Sequence, residues 1–348
     1  MKILIIPDYG CDIYIKRLKF FFEKRKIEVL GVSSSFFSLF FYSLYFKPDI
    51  IYLHWTSPFI IGRNIFFSIV KSIIFLFEIL FFKFILNVKI VWTVHNLVNH
   101  EKIFWKLERF INKILYLLCD KVTVHLNSQK EEFINFYGIR KDKIKIIREG
   151  NFNDIASLYD YNLSRKKLGI QPFELIFLFF GHIRRYKGIE FVIEAFKQIK
   201  RNDIVLYIIG KPYSEEYSTE ITNLIKDNYN IKFIPCFVND ELLYEYISAS
   251  DCVILPYREI FNSTVILLAL SFKKAIITTK NAHFIEILGD DSLLIEYGNI
   301  VKLREIIENV KKNELNNVGD FYYVKIKDIT WERQVDELIK LFYELINK

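Results

Sequence analysis

Short apolar runs rich in Ile and Val recur along the first part of the chain at residues 2–7, 50–54, 89–95, 121–125 and 144–148, with segments of helical character between them. Parallel neighbours need a long crossover, usually a helix, so this alternation predicts βαβ units and a parallel sheet. The pattern restarts at residues 175–180, 204–209, 231–235, 252–256, 275–279 and 292–295, which predicts a second doubly wound sheet. Residues 151–172 are polar and carry no strand signal, so the hinge is placed there, with a ligand cleft expected between the two lobes.

Two stretches break the alternation. Residues 65–86 are apolar except for Lys71, Glu78, Lys83 and two serines. The run falls short of the roughly 18–20 uncharged residues that a spanning helix needs, so a helix lying in the membrane interface is expected rather than one crossing it. Residues 36–46 are aromatic, Leu and Ser throughout, ended by Lys47 and Pro48; a helix buried on the sheet and a second interfacial segment both fit them.

A chain of 348 residues is long for one core and suits two domains, and 52% hydrophobic with 26% charged content excludes disordered and fibrous classes. The 34 Phe and 21 Tyr accompany abundant Ile, Lys and Asn and a single Met, a composition that a nucleotide-biased genome produces, so aromatic counts alone carry no function. Cys11, Cys119, Cys236 and Cys252 are widely spaced, without a CxxC pair or a leader before the first strand, so a reducing compartment and no metal cluster are expected. Residues 1–150 hold 23 Lys and Arg against 13 Asp and Glu, a balance of +10, while the remainder stands at −3. A basic first half predicts an anionic membrane surface or acceptor as its partner, and no nucleic-acid partner is expected.

The sharpest chemistry lies at residues 179–188, Phe-Phe-Gly-His-Ile-Arg-Arg-Tyr-Lys-Gly, directly after a strand and before a helix. Gly181 lets the backbone turn close to a ligand, and Arg184, Arg185 and Lys187 bring two or three positive charges to the end of the strand. Such a cluster suits a diphosphate and would stabilise the charge growing on a departing nucleoside diphosphate. At residues 250–270 a strand ending in Pro256 leads to Ser263 and Thr264, hydroxyl residues suited to a helix start that faces an anion. In the first half, residues 90–101 end a strand with His95, Asn96, His100 and Glu101, polar groups at the carboxyl end where doubly wound folds place ligands. His54 and Trp55 end the preceding strand, and Asp8 and Gly10 the first.

These segments, in this order and spacing, resemble the retaining GT-B glycosyltransferases of the large GT4 group. The resemblance rests on Gly181, Lys187 and Gly188, spaced as in the family's Gly-x-x-x-x-x-Lys-Gly segment, with Arg184 as in its Gly-x-Ile-Arg-x-Tyr-Lys-Gly branch. It extends to the hinge-like residues 148–152, the strand-end Gly210, the loop 237–240 around Val238, and the ending 329–335. It implies an α/β fold of GT-B architecture, two Rossmann-like domains facing a cleft. These would be an acceptor-side domain at 1–155, a nucleotide-sugar domain at 156–328 and a helix at 329–348 crossing back to the first. It implies catalytic roles for His95, Arg184 and Lys187, with donor contacts from Gly181, Gly210, Val238, Tyr257, Glu259, Ser263 and Thr264. On the acceptor side it implies His54, Asn96, His100 and Glu101. One departure is clear: many relatives carry two glutamates eight apart in the second region, whereas here Glu259 stands one place off the first and Leu268 replaces the second.

The resemblance further implies a UDP- or GDP-linked donor, retention at the anomeric carbon, and no metal or other cofactor, since side-chain cations and helix amides neutralise the diphosphate. A lipid-linked saccharide acceptor accounts for the apolar segments and the basic first half together, which points to surface polysaccharide assembly, capsule or lipopolysaccharide, in a bacterial cytoplasm at the inner face of the plasma membrane. A sugar-nucleotide 2-epimerase and a catalytically silent scaffold partner share the architecture and remain as rivals.

Overall fold

The computed structural model describes every residue except Phe36, Asp291 and Lys348. The chain forms two compact units, Met1–Gly150 with Ile329–Lys348, and Asn151–Asp328. Among the described residues each unit carries one six-stranded sheet, parallel throughout.

In the first unit the strands are β1 (Lys2–Ile6), β2 (Glu28–Gly31), β3 (Ile50–Leu53), β4 (Lys89–Thr93), β5 (Lys121–Val124) and β6 (Ile144–Ile146). The helices are α1 (Ile13–Lys24), α2 (Ser38–Phe46), α3 (Ser57–Ile60), α4 (Ile65–Phe84), α5 (Trp105–Leu118) and α6 (Asn127–Tyr137). Sheet order is β2-β1-β3-β4-β5-β6, so the order reverses beside β1, and the loops after β1 and β3 flank the switch point. The central strands β1 and β3 are Ile and Leu apart from Lys2 and Tyr52 and are almost wholly buried, as expected of parallel strands covered on both faces. β2 was not expected from the sequence: it is a four-residue edge strand, Glu-Val-Leu-Gly, with no fully buried position, and so lacks the apolar run that marks its neighbours.

The terminal helix Trp331–Ile346 belongs to this unit, where it packs against α1. Trp331, Val335, Leu338, Leu341, Phe342 and Leu345 recur every three or four residues and are buried, the spacing of one apolar helical stripe. Gly150 permits its approach, since a Cβ there would stand 2.6 Å from the Trp331 backbone.

α4 is inverted relative to an ordinary surface helix. Its polar positions face the unit: Ser68, Ser72 and Glu78 are buried, Lys71 donates to the Pro58 and Ile61 carbonyls, and Lys83 pairs with Asp120 at 2.7 Å. Its exposed face carries Phe66, Ile69, Ile73, Phe77, Leu80 and Phe84. It is the one helix, among the described residues, long and apolar enough to cross a membrane by length and composition. Its charged side chains are nonetheless tied to the protein. α2 continues that face with exposed Phe41, Tyr42 and Tyr45, and Phe40 packs on Phe81 of α4. Residues 36–46 are thus neither wholly buried nor wholly exposed, with Phe36 outside the described residues.

The second unit contains β7 (Leu175–Phe180), β8 (Ile204–Ile209), β9 (Ile231–Ile234), β10 (Cys252–Leu255), β11 (Ala275–Thr279) and β12 (Leu294–Ile295). Its helices are α7 (Asn153–Ala156), α8 (Tyr161–Leu168), α9 (Ile189–Phe196), α10 (Glu215–Ile225), α11 (Asp240–Ala249), α12 (Thr264–Ser271), α13 (Ala282–Leu288), α14 (Ile300–Asn309) and α15 (Lys312–Ile326). Sheet order β12-β11-β10-β7-β8-β9 puts the switch point between β7 and β10. The segments 181–188 and 256–263 follow those two strands, so the expected phosphate loop and the loop before α12 lie side by side where a doubly wound sheet opens.

Candidate functional site

In the second unit three loops converge because glycines let their backbones touch. Gly210, φ +153°, follows β8, and a Cβ there would fall 1.8 Å from the Gly181 carbonyl oxygen. Gly188, φ +67°, ends a short 3-10 turn, Arg185–Lys187, and a Cβ there would lie 2.3 Å from the Pro256 carbonyl oxygen. The Ile183 amide donates to Lys211 O at 3.1 Å and the Arg258 amide to Tyr186 O at 2.9 Å. The loop after β7 is thereby pinned to the loops after β8 and β10.

Lys187 is buried within this junction, and its ammonium lies 5.9 Å from the Phe179 ring centre and 5.7 Å from that of Tyr257. Burial, with Arg184 nearby as the second cause, lowers its pKa to about 8. Gly181 stands against it, since a Cβ there would be 3.2 Å from the Lys187 Nζ. Arg184 is half-buried beside it, whereas Arg185 turns away to Glu220 of α10, donating from Nη1 to Oε1 at 3.0 Å, and stacks over Tyr217. Two of the three cations in the segment therefore stay at the strand end. Burial and then the Lys187 and Arg184 charges push His182 below its ordinary pKa, so it adds no charge there at neutral pH.

The loop after β10 brings Tyr257 and Ser263 together, Tyr257 Oη to Ser263 Oγ at 3.4 Å. Ser263 is the N-cap of α12 but makes no side-chain capping bond, and Thr264 is the first helical residue. The Thr279 hydroxyl donates to Tyr257 O and holds the loop to β11. Glu259 is exposed on the loop, while Leu268 is buried in α12. Val238 is half-buried in the loop after β9, just before Asn239, whose side chain caps α11. Among the described residues no group of three or more His, Cys, Asp or Glu is placed to hold a metal.

The carboxyl edge of the first sheet is of a different kind. His54, His95 and His125, all buried, follow one, two and one residues after the ends of β3, β4 and β5. The register pairs Thr93 with Thr123, so His95 and His125 stand equally far beyond it. His54 Nδ1 and His95 Nε2 share a hydrogen bond of 3.0 Å, and Trp55 stacks on His95 at 4.5 Å. Tyr14 of α1 meets all three imidazoles edge-on or tilted, and its hydroxyl accepts from Gln334 of the terminal helix at 2.9 Å. Below them a hydroxyl chain runs from Tyr52 to Thr93 to Thr123. Burial lowers the pKa of His54 to about 3 and of His125 to about 4, and holds His95 well below its usual value, so the trio is neutral. The His125 Nδ1 proton goes to Ile147 O at 2.8 Å.

Of the acceptor-side candidates, His54 joins His95 directly; Asn96 is half-buried in the following loop; His100 and Glu101 are exposed farther along it. What organises that loop is buried Glu108 of α5, which accepts the Asn99 amide at 2.8 Å and the Ser57 hydroxyl. Asp8 is turned inward, accepting the Gly10 amide at 2.8 Å and pairing with Lys19 at 2.9 Å. His125, Tyr14 and Glu108 were not anticipated. A signal for His125 was present, a third strand of the same sheet ending in histidine, but Tyr14 and Glu108 are indistinguishable from ordinary helix residues until the helices pack.

The chain matches the family described as Glycosyltransferase Family 4 over residues 12–150 and that described as Glycosyl transferases group 1 over residues 160–323. It belongs to the GT4 glycosyltransferases, of GT-B fold class. A Xanthomonas campestris pv. campestris protein named GDP-mannose:glycolipid 4-beta-D-mannosyltransferase is 25% identical over 203 residues, 58% of this chain and 53% of that protein, so the match spans about half the relative's length. Sucrose-phosphate synthase from Thermosynechococcus elongatus superposes with a TM-score of 0.80 at 15% identity, over 99% of each chain. Anabaena HepE, solved in complex with UDP and glucose, superposes with a TM-score of 0.73 at 16% identity, over 99% of this chain and 100% of that one. At such identity these structures speak to the fold alone.

Proposed function

We propose that this protein is a retaining glycosyltransferase that moves a sugar from a UDP- or GDP-sugar to a saccharide acceptor carried on a lipid, at the inner membrane face during surface polysaccharide assembly. The observation that carries the reading is Lys187, an ammonium buried at the switch point of the second sheet with, among the described residues, aromatic faces and a second cation around it. Burying a charge without a counter-ion is costly, and a bound diphosphate is the counter-ion that would offset the cost. Arg184 and the uncapped start of α12 at Ser263 and Thr264 are the further donors for that diphosphate, with Gly181, Gly210, Tyr257, Glu259 and Val238 around the rest of the nucleotide sugar. His95, neutral and oriented by His54, contacts the sugar, and Asn96, His100 and Glu101 act toward the acceptor. No metal or cofactor is required, because the cations and amides neutralise the leaving group. The Xanthomonas relative's glycolipid name, the outward apolar face of α4 and the basic first 150 residues support the lipid-carried acceptor and peripheral membrane contact.

The test is thermal protection across a panel of UDP- and GDP-sugars, with wild type beside Lys187→Ala and Arg184→Ala. One donor should raise the melting temperature of the wild type and of neither variant, and the anomeric configuration of the product formed from it reads retention. If no nucleotide sugar protects the wild type, the transferase reading falls and a silent scaffold takes its place.

A further inference from the structure

Behind α4 the first unit holds a cavity of about 240 Å³ lined by Ser34, Ser35, Phe59, Lys71, Phe75 and Glu78, among others. It opens beside the loop that follows β2 and the helix α3 that follows β3, on the carboxyl edge of the sheet. Phe59 and Phe75 stack at 5.0 Å and form an aromatic wall. Lys71 spends two N–H groups on the Pro58 and Ile61 carbonyls, which leaves one, and Glu78 spends Oε1 on the Phe40 amide at 2.8 Å, which leaves Oε2. A contact made only to seat α4 would not call for a buried carboxylate, since apolar residues of like volume do that at lower desolvation cost.

A second cavity, about 270 Å³, is lined, among the described residues, by Phe37, Phe40, Phe41 and Phe77. The two are neighbours, separated by the Glu78–Phe40 hydrogen bond: Glu78 lines the first and Phe40 the second. Phe41 and Phe77 also belong to the exposed apolar face of α2 and α4, so the second cavity is continuous with that surface. The Glu78 carboxyl group, whose pKa burial raises to about 7 so that it can accept or donate, an ammonium donor and serine hydroxyls against aromatic faces suit a sugar ring, whose hydroxyls both donate and accept and whose C–H faces are apolar. Four phenylalanines suit a hydrocarbon chain.

We propose that these two neighbouring cavities bind one amphiphile, a saccharide in the Glu78 and Lys71 cavity with its hydrocarbon chain among the phenylalanines. This rests on the lipid-carried acceptor proposed above and gives it a place. The probe is dodecyl maltoside below its micelle concentration, titrated calorimetrically into the full chain, with maltose and dodecylphosphocholine as head-only and tail-only comparisons. Dodecyl maltoside should bind saturably at one site, and both comparisons should bind at least about tenfold more weakly, since each forfeits one cavity's contacts.

Glu78→Gln keeps an acceptor for the Phe40 amide and Phe77→Ser alters an exposed side chain; each should weaken binding by about tenfold, the scale of one lost hydrogen bond or one unburied aromatic. Ile74→Trp, which fills the first cavity from its rim without removing a charge, should do the same if Glu78→Gln melts early. Equal affinity for dodecylphosphocholine, or binding indifferent to both Glu78→Gln and Ile74→Trp, would overturn the saccharide assignment. Maltose binding as tightly as dodecyl maltoside would overturn the chain assignment. Protection by the nucleotide sugar should be unchanged in all three variants, so loss of the amphiphile site and failure of the donor reading are separate results.

Discussion

Lys187 and Lys274 sit at opposite edges of one sheet, and both are buried lysines whose pKa burial lowers to about 8. Lys274, at the amino edge of β11, donates to Ser248 O at 2.8 Å and Ser250 O at 2.9 Å. It lies within reach of the Asp251 charge, while Asp251 is itself held by Arg165 at 3.2 Å, Tyr161 at 2.8 Å and the Ile176 amide at 2.7 Å. Lys187, at the carboxyl edge of β7, meets two aromatic rings and the like charge of Arg184. The two have the same burial and the same displaced pKa, yet among the described residues one has hydrogen-bond acceptors and a nearby carboxylate while the other has neither. On the function proposed above, the difference separates a lysine kept for stability from one kept for a ligand.

The largest effect expected from that comparison is on transfer. Lys187→Ala should lower kcat/KM for sugar transfer by about 10²–10³-fold, the range seen when one donor to developing negative charge is removed, while the melting temperature stays level or rises. A variant that loses activity only because it unfolds would erase the contrast. Next is Lys274→Met, which leaves two carbonyls without their donor and Asp251 short of a cation. It should cost about 2–3 kcal/mol in urea unfolding and leave kcat/KM per folded molecule unchanged.

The smallest effect is in pH. The diphosphate binds the ammonium form of Lys187, so donor affinity should fall about fivefold to tenfold from pH 7.5 to 9 as the group titrates near 8, and Lys187→Ala should show no such fall. Stability should move the other way. A lysine whose folded pKa is depressed binds fewer protons than the unfolded chain between about 8 and 10.5, so its penalty is full below 8 and shrinks across that window. Affinity and stability rising together with pH would contradict the assignment.

Much of this was legible in advance, for identifiable reasons. Among the described residues eleven of the twelve strands announce themselves by Ile- and Val-rich runs, central strands because both faces are buried and the edge strands β6, β9 and β12 because each keeps buried Ile or Leu; β2, Glu-Val-Leu-Gly with no buried position, does not. The segment 181–188 was legible because glycines flanking clustered cations are unusual after a strand. The histidine trio was legible only in part: His54 and His95 stand beside polar neighbours, whereas His125 stands in a run that any strand end could show.

By itself the sequence determined the two sheets, their parallel sense and the placing of Gly181, Arg184 and Lys187 at a strand end, because backbone periodicity and glycine conformation are local properties. Only the tertiary structure decided which charges were left for a ligand. It turned Arg185 onto Glu220, joined His54 to His95 and His125 around Tyr14, and set Glu78 against the Phe40 amide in a cavity. Those choices depend on which distant side chain arrives as partner, and a charge spent on a neighbour looks the same along the chain as one held in reserve.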